Sequence, residues 1–334
     1  MDWNSGYSAT YYASFVDPDT WEDLGRFDII GGSIKRTLDE LRESADIDCV
    51  GYSETKEKWI RIWLDAKQTG SSSRIALFTG LATSPKKEID GRLISNSLEC
   101  YSILKPAQDI LLDRGWYAPI DIDVRILFKE LLSVTNAPLI LPEKEYTLKS
   151  AVIAEQGETN LSMVNLLLDV ANWRLSIDGR GAISITEYDS NPKIQIDSLY
   201  NDIVEPNISI DYDWYDCPNV FRAILDDTCA IVKDDDENSP FSTVNRGREV
   251  WVEERSVTLN DDETIADYAA RRLLQLQQVS TLISYDRRYI PNVLPSDVIY
   301  LNYPEQKIVG KYMITSQAIS LGHNCTTSEE AIKV

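Results

Sequence analysis

The sequence predicts an α+β chain that is mostly β, and three observations carry that expectation. Runs with period-two alternation of apolar and polar residues fill the first third and return in the last. Two helical stripes lie between them. Clusters of Pro, Gly, Asp, Asn and Ser break the runs at short intervals, as turns between short strands do.

SATYYASFV, Ser8 to Val16, is β-prone and ends in the turn-like DPDTWED. ADIDCVGY sets Ile47 and Cys49 on one face and Asp46 and Asp48 on the other, so that face is half buried. EKWIRIWLDA alternates Ile60, Ile62 and Leu64 with Trp59, Arg61 and Trp63, so both of its faces find apolar or amphipathic contacts, as in a strand packed between a core and a partner. SSRIALFTGLAT and GRLISNSLECYSIL add two more strands. Short strands in this density imply a small barrel or a sandwich.

After Leu104 the period changes. DVRILFKELLSV places Val124, Leu127, Phe128, Leu131 and Leu132 on one helix face, with Asp121 as the expected cap. A second helix is expected from Leu161 to Ala171, capped by Thr159 or Asn160, with Val164, Leu167, Leu168 and Ala171 inward. In WRLSIDGRGAISITEY, Trp173, Leu175 and Ile177 pair across a DGRG turn with the strand of Ile183 and Ile185. Strands resume with ISIDYDWY, VFRAIL and EVWVEERSV. A third helix in NDDETIADYAARRLLQLQQVS opens on a capping box of Asn260 and Glu263 and buries Ile265, Tyr268, Ala269, Leu273 and Leu276, with Arg271 and Arg272 toward solvent or a partner. TLISYDRRYI, DVIYLNY and GKYMITSQAISL close the chain as strands. The expected domains are 1–104, a helix-and-hairpin unit over 105–203, and 204–334 with an inserted helix at 261–279.

Composition narrows the function classes. At 334 residues the chain is long enough for two or three domains with cores that require neither disulfide nor metal. Lys and Arg number 33 against 54 acids, a net charge of −21, so the surface repels phosphate and nucleic-acid binding is the least favoured class. Cys49, Cys100, Cys217, Cys229 and Cys325 have neither paired spacing nor an even count and are expected as scattered core residues. MDWNSGYSATYY lacks the basic start and apolar stretch of a signal peptide, and no apolar run reaches the roughly 18 residues that cross a bilayer. These features read as a soluble chain made in a cytoplasm. Eight tryptophans and seventeen tyrosines suit interfaces, and would equally suit a carbohydrate binder.

Each chemical constellation has a plainer reading beside it. His323 is the only histidine, which removes His-based metal centres and leaves a single base for any triad. In an extended backbone Cys325 falls on its face, but a polar strand end is the better reading. In KDDDENS, Asp234, Asp236 and Asn238 alternate like calcium ligands. The loop then has Ser239 where glycine is needed and Asn245 where glutamate is needed, so it reads as a solvated turn. Asp211 and Asp213 share a strand face, as a dyad or as its wet side. With 54 acids such pairs arise by chance. GRGAIS lacks the third glycine of a dinucleotide fingerprint and joins two strands, so it is a turn. In LPSDVIYL, a Ser296–Asp297 pair has no base to complete it, and Pro295 before an alternating strand fits a sheet corner. No catalytic, cofactor-binding or metal-ligating residue is expected, and no enzyme.

The helix DDETIADYAARRLLQLQQ, the corner of Pro291, Leu294, Pro295, Ser296, Asp297 and Val298, and the last strand with Gly310, Tyr312 and Ile314 resemble the end of phage tail baseplate hub proteins of the late control D type. GGSIKRTLDELRESADIDC resembles the first barrel of Gram-positive phage hubs and of the leading portion of tail-associated lysins. The order of elements agrees over nearly the whole chain. Ser296 stands where that family has glycine, and with the sequence ending at Val334 the downstream peptidase or glycosidase of the lysin relatives is not expected.

The resemblance implies two small barrel-like tube domains flanking the helix-and-hairpin domain. It implies a homotrimer whose pseudo-sixfold ring closes the tail tube, adapts a sixfold tail to a threefold tip and lets the genome pass. Implied partners are a distal tail ring protein, the tape-measure protein and a tip spike or fibre, with DNA met only in the lumen. The implied location is the virion tail, after synthesis in the bacterial host cytoplasm. The alternatives are a carboxylate-dependent cell-wall hydrolase of the tail tip and a receptor-binding tail protein that holds sugars on exposed Trp and Tyr.

Overall fold

The computed structural model describes the chain apart from residues 4, 84, 91–92, 198–203, 213, 216, 256, 258, 260–262 and 279–280. It is an α+β fold dominated by strands. Seven strands come first: β1 (Ser8–Val16), β2 (Asp23–Thr37), β3 (Glu43–Val50), β4 (Lys58–Gln68), β5 (Ser71–Ala82), β6 (Lys86–Asp90) and β7 (Leu93–Ser102). Six of them pair in the order β1-β4-β5-β7-β3-β2, and β2 returns to β1, so the sheet closes on itself. Strand β6 pairs β7 outside that ring. The inward residues are the alternating ones, among them Ile34, Ile47, Cys49, Ile60, Ile62, Leu64 and Phe78. Closure removes the sheet edges that would otherwise template association.

The middle segment holds α1 (Lys105–Asp109), β8 (Tyr117–Ala118), α2 (Val124–Leu132), β9 (Leu139–Ile140), β10 (Val152–Ile153), α3 (Asn160–Ala171), β11 (Trp173–Ile177) and β12 (Ile183–Glu187). All five residues of the expected α2 stripe are buried. The cap is Asp123, whose carboxylate accepts from the Arg125 amide at 3.0 Å, and not Asp121, which sits at φ 65° in the turn before. Thr159 and Ser162 form a reciprocal capping box on α3. The hairpin has the expected register, Leu175 opposite Ile185 and Ile177 opposite Ile183. Both helices and the hairpin enclose a core that includes Phe128, Leu167 and Trp173.

The last segment contains β13 (Ile194–Asp197), β14 (Val204–Tyr212), β15 (Val220–Leu225), β16 (Thr228–Lys233), α4 (Thr243–Arg246), β17 (Trp251–Arg255), α5 (Ile265–Gln278), β18 (Thr281–Arg288), β19 (Val298–Tyr303), β20 (Ile308–Ser320) and β21 (Thr326–Lys333). Strands β13-β19-β20-β21-β18-β14 form a second six-stranded sheet around Ile196, Tyr285, Ile299, Leu301 and Ile314. Helix α5 packs on a separate sheet, β16-β15-β17, over Phe221, Ala223, Ala269 and Leu273. At its start Thr264 and Asp267 cap each other, whereas the expected cap Asn260 lies outside the described residues. Arg271 and Arg272 remain 34% and 32% exposed and pair with Glu263 and Glu254, both at 2.7 Å.

The two six-stranded sheets are one sheet. Long β2 pairs antiparallel with long β20, from Ser33 opposite Ser320 to Thr37 opposite Ser316. A bulge in β2 after Ile29 lets the strand serve both partners. Gly32 is needed there: at φ 133°, an added Cβ would lie 2.2 Å from the carbonyl oxygen of Asp46.

Candidate functional site

The shared sheet carries a buried polar row on one face and an open groove on the other. On the buried face Arg36, Gln317, Glu329 and Tyr285 stand directly opposite one another across β2, β20, β21 and β18. Arg36 Nη1 donates to Gln317 Oε1 at 2.9 Å, and Gln317 Nε2 donates to Glu329 Oε1 at 2.7 Å. The Tyr285 hydroxyl and Arg287 Nε each donate to Glu329 Oε2 at 2.7 Å, and Arg287 Nη2 reaches Oε1 at 2.5 Å. Burial, and after it the Glu329 charge, raises the Tyr285 hydroxyl well above its ordinary range and keeps it a donor. The sequence held a signal for this row. Ile283, Tyr285, Arg287 and Tyr289 share one parity in β18 and its end, and so do Thr327, Glu329 and Ala331 in β21, so both charges fall on the core face.

Glu43 lies beside this row with less support. Its Oε2 is 3.5 Å from Arg36 Nε, while the Arg36 terminal nitrogens are committed to Gln317 and the Leu77 carbonyl, and its Oε1 has no hydrogen-bond partner among the described residues. Burial outweighs the guanidinium and pushes the carboxyl from 4.5 up to about 8. Because the folded pKa exceeds the unfolded one, the neutral acid is the form that favours folding. Its contribution is whole below about pH 4.5 and is lost as pH rises through about 8. Replacing Glu43 with Gln is expected to remove this slope. In urea unfolding, the variant's stability relative to the native chain rises from about pH 4.5 to about pH 8 and then levels off. A difference that stays constant with pH contradicts the assignment.

On the opposite face of the same strands lies an open groove of about 820 Å³. Lys35 and Thr37 of β2, Ser316 of β20, Ser328 of β21, and Ser284 and Asp286 of β18 line it, with Asp39 and Glu330 at hand. Most of the side chains are short and polar, with acids in excess, and Leu38 and Ala318 are the aliphatic residues among them. Such a surface stays largely wet and offers little apolar area to a partner.

The residues weighed in the sequence are scattered. His323 is exposed in the β20–β21 turn, while Cys325 is buried at φ 46° beneath Tyr7 and Tyr11. The backbone is turned rather than extended, so the two do not share a face. Burial pushes the Cys325 thiol up to about 11, the reverse of what a nucleophile needs. Cys49, Cys100 and Cys217 are buried as well, but Cys229 is exposed on β16, contrary to the expectation of core cysteines. Asp234 accepts from Ser239 Oγ and Gln277 Nε2, and Asp236 accepts from the Asn238 amide, so these carboxylates tie down their own loop. Asp211 is exposed on β14, and Asp213 lies outside the described residues.

The corner at Ser296 is built as architecture. Asp297 Oδ2 accepts from the Leu294 amide at 2.7 Å and from Lys193 Nζ at 2.9 Å, and the Ser296 amide donates to Ile314 O at 2.8 Å. Ser296 has φ 75°, a conformation that costs serine more than glycine. Ser296→Gly is therefore expected to stabilise the fold by about 0.5 to 1 kcal/mol, read as a raised thermal midpoint. A clear loss of stability would contradict this account of the corner.

No family model matches the sequence, and no curated protein sequence does. Solved structures match throughout. The 43 kDa tail protein of prophage MuSo2 from Shewanella oneidensis superposes with a TM-score of 0.69 at 14% identity, over 98% of each chain. The tail protein from Neisseria meningitidis MC58 gives 0.71 at 12% identity, over 98% of this chain and 97% of that one. An E. coli type VI secretion system component, described as structurally similar to the T4 bacteriophage tail proteins gp27 and gp5, gives 0.53 at 10% identity, over 92% and 74%. At these identities the likeness is one of fold.

Proposed function

We propose that this chain, which has the fold of phage tail proteins, is the structural hub of a phage tail tip or baseplate or of a related tail-like particle. Three copies form a ring that closes the tail tube, adapts a sixfold tail to a threefold tip and lets the genome through. The observation that carries this reading is the shared sheet: two six-stranded units lie in each chain, rigidly joined through β2 and β20, so three chains supply six units to a ring. The domain division follows the same logic, with tube units at both ends and the helix-and-hairpin unit between them.

In this reading the groove face of the shared sheet is turned to the lumen. Its short polar side chains leave a wide path, and Asp39, Asp286 and Glu330 repel a passing polyanion more than the single Lys35 attracts it. The partners are a distal tail ring protein, the tape-measure end and a tip spike or fibre. The chain works without catalysis. Antibody against it is expected to label the axial tip of isolated tails. Label confined to the outer fibres, or peptidoglycan release by the purified chain that a single Asp or Glu replacement abolishes, would overturn the reading.

A further inference from the structure

We propose that the ring closes through a head-to-tail contact in which the open face of the β16-β15-β17 sheet docks on the β8–β10 face of a second copy, an inference that rests on the trimer reading above. Among the described residues, helix α5 covers one side of that small sheet and leaves the other open. On the other side Trp251 is 44% exposed, and Ile231 is exposed on the same side two strands away. The indole does not lie loose. The Arg222 guanidinium stands 5.0 Å from its ring centroid, Lys233 Nζ stands 5.8 Å away, and its N–H donates to Glu249 at 2.9 Å. A large ring held in place before any partner arrives is what an interface anchor requires, because little rotamer entropy is left to lose. Tyr215, also exposed, lies 5.9 Å beneath Arg248.

The charge of this face runs against that of the chain. Arg222, Lys233 and Arg255 stand here against Glu249 and Glu253, an excess of one positive charge beside the exposed Asp226 and Asp227 of the β15–β16 turn, whereas the whole protein carries −21. Asp234, which follows Lys233, is turned toward Gln277 of α5. A cationic, aromatic patch on an acidic molecule has an acidic partner ready in every other copy.

The middle unit offers the matching surface. Tyr117 and Ile153 face each other in register across β8 and β10, 54% and 67% exposed, and Leu111 and Ile120 are exposed near them in the chain. Asp113, Asp121 and Glu155 border them, with Arg114 as the opposing charge. The two patches differ, so the contact is heterologous, the type that closes a ring when the rotation per subunit fits.

Light scattering on the full chain distinguishes the outcomes. The native protein is expected as a trimer, and Trp251→Ala and Ile153→Asp each as a monomer with an unchanged circular dichroism melt. Arg222→Glu, which keeps the tryptophan, is expected to weaken association by at least about 30-fold. Mixing the first two variants is the sharpest arm, because each retains the surface the other has lost. The mixture is expected to give 1:1 dimers that grow no further. Trimers that persist in either variant, or a mixture that stays monomeric, overturn this interface while leaving the trimer reading intact. A native chain that does not trimerise even within isolated tails overturns both.

Discussion

Replacing Glu329 with glutamine is expected to cost about 3 to 5 kcal/mol of folding stability, the usual loss when one member of a buried ion pair is removed. Arg287 and Glu329 both have fully buried side chains, and the carboxylate takes a two-pronged contact from the guanidinium. Gln317 and Tyr285 donate to the same two oxygens. An amide in that place keeps the shape but turns an NH₂ group toward donors and leaves Arg287 a buried charge without a counter-ion. Urea unfolding measures the loss. The double change Arg287→Met with Glu329→Leu is expected to cost less than the single one, since no charge is then stranded. A single-variant loss under about 1 kcal/mol would mean that the pair is hydrated, and the row across the shared sheet would not be the rigid joint described above.

Gly179→Ala is expected to be nearly as damaging, for a steric reason. The tip of the β11–β12 hairpin lies on β5, so close that an added Cβ would stand 1.8 Å from the carbonyl oxygen of Ala76 and 2.4 Å from its carbon. Backbone must move. The same tip is held by Thr79 Oγ1, which donates to the Gly179 carbonyl at 2.8 Å, and by Arg61 Nη2, which donates to the Arg180 carbonyl at 3.1 Å. Arg61 is itself fixed by Asp23 at 2.7 Å. Alanine therefore lifts the hairpin and loosens several bonds between the middle unit and the first ring of strands, a loss of about 2 to 4 kcal/mol. Gly6→Ala is the control: no atom of the described residues lies within 4 Å of its added Cβ, and no change in the thermal midpoint is expected. Equal midpoints for the two variants would refute the close contact.

Local pattern and long-range pairing differ in how legible they are. The stripe of α2, the capped α3, the register of β11 and β12, the alternation in β3 and the two-sided burial of β4 depend on neighbours within a few residues, and each could be read directly. Asp121 misled because two aspartates precede the same stripe, and only the backbone turn at φ 65° selects Asp123. The sheet that joins the two ends of the chain could not be read this way. Arg36 and Gln317 are 281 positions apart, and β15 pairs in parallel with β17 across an intervening strand and helix. The buried charges were missed for a related reason. Arg287 and Glu329 sit on the core parity of their strands, but a charge at such a position is credible only once its counter-charge is known to stand beside it. The groove escaped notice because five strands from opposite ends of the chain contribute its residues, and serines and threonines carry no motif.

The central claim is that three chains, each contributing two joined six-stranded units, make the ring at the tail tip. A cryo-electron microscopy reconstruction of isolated tails without imposed symmetry tests it most directly. The expected result is three copies around the axis at the distal end of the tube, with the β2–β20 sheet facing a continuous channel. Six copies, a single copy, or a position on the peripheral fibres would contradict it.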